Sequence, residues 1–92
     1  MDPRRKKLKY RAWHRGFVEA DLILGPFADA HLERMDEAEL GHFEILLEQA
    51  DHDIYAWIFG QSDPPADMDV PVLALIREFR FDPRRARNDL GV

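Results

Sequence analysis

Cysteine is missing altogether from these 92 residues. That excludes a disulfide framework, a thiolate metal centre and a cysteine nucleophile. Long apolar runs are missing too: none approaches the roughly 20 residues needed to span a bilayer. No apolar signal-peptide core follows the basic start, because mixed polar and aromatic residues come next. The expectation is a cytoplasmic protein with no membrane insertion. G-x-x-x-x-G-K and G-x-G-x-x-G phosphate loops are absent, as is the G-x-S-x-G nucleophile elbow. The four histidines, His14, His31, His42 and His52, fall in no H-E-x-x-H pattern. No catalytic constellation emerges, and no metal site is expected.

Basic residues are nearly absent from the middle of the chain. Gly16 to Ile76 holds one base, Arg34, against fourteen acids. Met1 to Arg15 holds seven Lys or Arg and one acid, and five arginines return after Ile76. The net charge of −5 therefore conceals a basic–acidic–basic order. An acidic body disfavours nucleic acid through its long-range field, so nucleic acid is not expected as a partner. The basic ends either pair with the protein's own acids or meet a partner of complementary charge.

What is present is helical period. Ninety-two residues make one domain with a small core. A first helix is predicted from about Pro3 to His14, with Pro3 in its first turn. A second starts near Gly16, with Phe17, Ala20, Leu24, Phe27 and Ala28 on one stripe; Gly25-Pro26 should kink it. Asp36-x-x-Glu39 announces a third as a capping box, followed by a buried face of Leu40, Phe43, Leu46, Leu47 and Ala50. The fourth begins at Asp51 or Asp53, turns Ile54, Trp57 and Ile58 inward and ends at Gly60. Ser62 to Pro65 is a loop. The fifth starts near Asp69, with Pro71 in its first turn and Val72, Leu73, Ile76 and Phe79 as its stripe. No stretch alternates as a strand does. The fold class is all-α, a small five-helix bundle. Residues 1–82 form the single domain, and 83–92 a loose Arg-rich tail. The core should hold Leu24, Phe27, Leu40, Phe43, Leu47, Trp57, Ile58, Leu73 and Ile76. Trp13, Phe17, Trp57 and Phe59 raise the idea of a ring-stacking site, but aromatics at helical spacing ordinarily serve the core in so small a domain.

Arg15-Gly16-Phe17-Val18-Glu19 sits where the basic segment gives way to the acidic one. A glycine there either costs a helix roughly 1 kcal/mol or takes positive φ and leaves bare backbone. Were the chain helical across it, Arg15 and Glu19 would share a face as an i,i+4 pair. The alternative is that both charges point at another protein, with Gly16 giving clearance between them.

With the elements that follow, this order of motifs resembles the SdhE-type succinate dehydrogenase assembly factors. The matching residues are Arg11-Ala12-Trp13-His14-Arg15-Gly16, then Glu19-x-Asp21-Leu22-x-Leu24-Gly25-x-Phe27, Leu46-Leu47-Glu48 and Asp53-Ile54-Tyr55-Ala56-Trp57-Ile58. They cover roughly Arg4 to Phe79. The resemblance implies a five-helix bundle that binds the flavoprotein subunit of succinate dehydrogenase, in some bacteria also that of fumarate reductase. It implies a chaperone that promotes covalent attachment of FAD to a histidine of that subunit, with no cofactor held permanently by the chaperone itself. Direct FAD binding stays open. Carried over residue by residue, it puts Arg15, Gly16 and Glu19 at the flavoprotein contact, with Asp21 beside them; Trp13, Phe17 and Arg11 complete the candidate partner-binding set. Val18 stands where many members carry a polar or basic residue, and Phe17 is bulkier than usual there. Both changes suit a drier contact. Older labels in the family imply a toxin-neutralising regulator instead, and the basic first helix and Arg-rich tail leave a small helical nucleic-acid binder as a further alternative.

Overall fold

A computed structural model describes residues 2–80, the last of them for its backbone alone. Five α-helices follow one another: α1 (Pro3–Trp13), α2 (Val18–His31), α3 (Glu37–Leu47), α4 (Asp51–Ile58) and α5 (Pro71–Arg80). Short 3₁₀ turns at Leu32–Arg34 and Ala66–Met68 join α2 to α3 and α4 to α5. Among the described residues there is no strand. The expected tail at 83–92 lies outside the described residues.

Local chemistry sets most boundaries. Asp2 caps α1 by accepting from the Arg5 backbone N–H at 2.9 Å, and Pro3 follows at the first helical position, where a missing N–H costs nothing. The box at α3 is complete: Asp36 Oδ1 accepts from the Glu39 N–H at 2.9 Å, and Glu39 Oε1 accepts from the Asp36 N–H at 3.0 Å. At the end of α4, Gly60 takes φ of +72°, and the Gln61 N–H reaches back to the Ala56 carbonyl at 2.8 Å. Arg77 of α5 donates from Nε and a terminal nitrogen to the Trp57 carbonyl, tying α5 to the same helix end.

All nine residues expected in the core are buried, and Leu8, Ala12, Leu32, Met35, Met68 and others join them in one cluster. α1 packs chiefly on α2, and Arg5 fixes its first turn by donating to the Leu32 and Met35 carbonyls at 2.8 and 2.6 Å. Leu47 is essentially inaccessible at the end of α3. Leu47→Ala is expected to cost about 2–5 kcal/mol, from lost apolar transfer plus the cavity left behind. Chemical denaturation measures this; a loss well below about 1 kcal/mol would mean the site collapses around the smaller side chain.

Several expectations need correction. α2 starts at Val18, not near Gly16, because Gly16 has φ of +86°, outside any right-handed helix. Phe17 therefore precedes the helix as its cap residue rather than sitting on its stripe. Ala50 is exposed: it is the extended residue before α4, not the end of the buried face of α3. α5 begins at Pro71, two residues later than Asp69. The continuation of α2 past Pro26, by contrast, is as the in-phase apolar residues led one to expect. The apolar face on both sides of Pro26 stays in one core, and that tertiary burial outweighs the local propensity.

Candidate functional site

The seven candidate residues lie on the last turns of α1, the loop after it and the first turns of α2. The structure divides them into residues that build the loop and residues that show on its surface.

Arg15 builds it. Its side chain is only 10% exposed and reaches across to the junction of α3 and α4. Nε donates to Asp51 Oδ1 at 2.5 Å; the terminal nitrogens donate to the Leu47 and Gln49 carbonyls at 2.6 and 2.9 Å. Leu47 ends α3, where carbonyls lack helical partners and the helix dipole is negative. Asp51 opens α4, whose first turn has no side-chain cap of its own. One planar guanidinium thus serves both helix ends, a task suited to its fixed fork of donors. The Arg15 backbone N–H in turn donates to Asp21 Oδ1 at 2.9 Å, which ties the loop to α2. Asp21 is half-buried in this role. No Arg15–Glu19 pair forms, because the chain is not helical across Gly16.

Phe17 and Trp13 also turn into the fold. The Phe17 ring meets His52 edge-on at 5.5 Å and Tyr55 at 5.4 Å, joining the loop to α4. The Trp13 indole lies flat over Gly25 of α2, so close that a Cβ there would stand 2.3 Å from indole Cδ2. Its Nε1 donates to Asp29 at 3.3 Å. Arg11 is half-buried on α1 and has no ion-pair partner among the described residues.

What shows on the surface is Gly16, Val18, Glu19 and Leu22. Gly16 is exposed, with nothing within 4 Å of where a Cβ would stand. Glu19 is exposed in the first turn of α2, where the helix dipole favours a carboxylate, and it has no side-chain partner among the described residues. Val18 and Leu22 are 64% and 57% exposed on the same helix and four residues apart. The result is a ridge: bare backbone, one unpaired carboxylate and two apolar side chains, held from beneath by Arg15, Asp21 and Phe17. It suits contact with a surface more than enclosure of a small molecule. Sequence reasoning noted that Val18 suits a drier contact but did not count it among the site residues, and it left out Leu22. The available signal was that both are apolar yet fall off the stripe of Ala20, Leu24, Phe27 and Ala28. The partners of the Arg15 side chain lie more than thirty residues away and carried no local signal.

Among the described residues, no three His, Asp or Glu side chains are grouped to hold a metal ion, and no helix is long and apolar enough to cross a membrane.

Comparisons with known proteins give the family. Residues 6–80 match the model of a family described as flavinator of succinate dehydrogenase. A mitochondrial succinate dehydrogenase assembly factor 2 from Dictyostelium discoideum is 38% identical over 73 residues, covering 79% of this chain and 52% of that protein. The FAD assembly factor SdhE of Acetobacter pasteurianus is 39% identical over 70 residues, covering 76% of this chain and 64% of its own length. A mitochondrial assembly factor 2 from Saccharomyces cerevisiae is 42% identical over 57 residues, 62% of this chain and 35% of that protein. The chain thus spans between about a third and two thirds of these relatives. With the family model covering most of its length, from the middle of α1 through α5, this chain belongs to the flavinator of succinate dehydrogenase family.

Proposed function

We propose that this protein is an assembly factor that binds the flavoprotein subunit of succinate dehydrogenase and promotes covalent attachment of FAD to it. The fumarate reductase flavoprotein is a second client under the same reading. The observation that carries it is the ridge itself. In a chain of this family, Gly16 offers open backbone and Glu19 an unpaired carboxylate, on a loop that Arg15 holds rigid. In this reading the flavoprotein supplies the histidine and the FAD site, and this chain holds no cofactor of its own. Its contribution is docking: a partner held with histidine and flavin aligned reacts faster without a catalytic group from the helper. The protein is accordingly a non-enzymatic chaperone, and we place it in the cytoplasm.

Glu19→Ala is expected to lower the melting temperature only slightly, since the side chain is exposed and unpaired and contributes only its favourable place at the start of α2. It should nevertheless lower covalent flavinylation of a co-expressed flavoprotein subunit. Gly16→Arg should lower binding as well, because bulk enters where a partner backbone approaches. Positive φ adds strain of about 1–2 kcal/mol for any side chain at position 16, so Gly16→Ala serves as the control for strain without bulk. Covalent FAD fluorescence of the denatured subunit is read beside the melting temperature. Normal flavinylation with both Glu19→Ala and Gly16→Arg would remove the ridge from the mechanism.

A further inference from the structure

Beside the ridge, α1 carries a feature that this function leaves unused. Lys6, Lys9, Tyr10, Trp13 and His14 line an open, largely apolar groove of about 260 Å³ along the helix. Their spacing of three and four residues puts them on one side of α1. Tyr10 is 64% exposed, a large ring left in solvent. It is nonetheless held in place, stacked on His14 with ring centroids 4.1 Å apart and planes 20° from parallel. His14 is fixed in turn: its Nδ1 lies 2.8 Å from the Tyr10 carbonyl. A carbonyl only accepts, so Nδ1 carries the hydrogen. The exposed ring pair is therefore ordered before any partner arrives.

Charge says what fits there. Of the seven bases in the first fifteen residues, Arg4, Arg5, Lys9 and Arg15 are paired with the protein's own carboxylates. Lys6, Lys7 and Arg11 have no counter-charge among the described residues. Lys6 thus lines the groove without a counter-charge, and Lys7 and Arg11 add two uncompensated cations on the same helix, in a protein whose net charge is −5.

We propose that this groove is a second docking site, continuous with the Gly16–Glu19 ridge, that takes an acidic segment of the flavoprotein partner bearing an apolar or aromatic side chain. The side chain packs against Tyr10 and Trp13, and carboxylates on either side meet Lys6 and Arg11. The proposal rests on the assembly-factor reading. It gives the surface a charge pattern: α1 seeks acid, whereas Glu19 in the first turn of α2 seeks base. Such a pattern fixes the orientation of docking as well as its strength.

The test is binding of the purified flavoprotein subunit of succinate dehydrogenase to the full-length chain and two variants, at several salt concentrations. Lys6→Glu with Arg11→Glu should weaken binding about tenfold at low salt and much less at high salt, where exposed charges are screened. Tyr10→Ala should weaken it about tenfold at every salt concentration. Neither variant removes a core side chain, so melting temperatures should hold. Wild-type affinity in both variants would overturn the groove and leave the ridge standing. Self-association of the wild-type protein, abolished by the charge reversal, would give the groove to a second copy and overturn the proposal. Absence of any wild-type binding to the flavoprotein would bring down the assembly reading and this inference together.

Discussion

Arg15→Ala is expected to lower the stability of the fold by about 2–4 kcal/mol. Removing one member of a buried pair strands the groups it served. Here two carbonyls at the end of α3 lose their donors, and Asp51 loses its counter-ion. Asp51 is 27% exposed and recovers part of its hydration, which keeps the cost below the upper end for fully buried pairs. Arg15→Lys should fall between: an ammonium is a point charge and cannot reach three separated acceptors as a planar fork does. Flavinylation should fall with stability in both variants, because the loop presenting Gly16 and Glu19 loses its anchor. Denaturation midpoints and flavinylation, measured together, decide the matter. A fully stable Arg15→Ala that has lost partner binding would mean that the guanidinium leaves Asp51 to touch the partner, which is the role the bare motif suggests.

That contrast shows what one-dimensional reading captures. The core stripes were legible because helical period is a local property, and each stripe could be counted within a dozen residues. Leu40, Phe43 and Leu47 on α3 and Val72, Leu73 and Ile76 on α5 are all buried as their spacing requires. The box at Asp36 and the stop at Gly60 were legible for the same reason. The location of the candidate site was legible from the glycine at a charge boundary together with the family motif. The roles inside the motif were not. An arginine and a glutamate four residues apart suggest a pair, and only the positive φ of Gly16 separates them. The true partner, Asp51, comes from another helix, and no spacing rule connects the two. Ala50 was misjudged for a related reason: its position continues the period of α3 in sequence, but the helix stops at Leu47 once Arg15 takes up its terminal carbonyl.

Gly25 is the strongest case of a residue whose purpose appears only in three dimensions. In sequence it stands beside Pro26 and reads as part of a helix kink. In the fold it sits inside an unbroken helix, buried under Trp13. An added Cβ would lie 2.3 to 2.6 Å from indole Cδ2, Cε2 and Cε3, well inside van der Waals contact. The backbone of α2 cannot retreat, because Leu24, Phe27 and Ala28 fill the core behind it. The indole must therefore swing outward, losing its packing and the bond from Nε1 to Asp29. Gly25→Ala is expected to cost about 1–3 kcal/mol, as overpacking does elsewhere. This is opposite in sign to the gain of roughly 1 kcal/mol that alanine brings to an unobstructed helix. Combining it with Trp13→Ala separates the two effects. Without the indole, Gly25→Ala should become neutral or stabilising, so the double-mutant cycle should show a favourable coupling of several kcal/mol at most and well above about 0.5 kcal/mol. Fluorescence of Trp13, recorded with Trp57→Phe as the background, should shift to the red in Gly25→Ala as the ring meets water. A Gly25→Ala protein more stable than the wild type, with Trp13 emission unchanged, would show that helix and indole part without cost, and the close approach would then have no structural purpose.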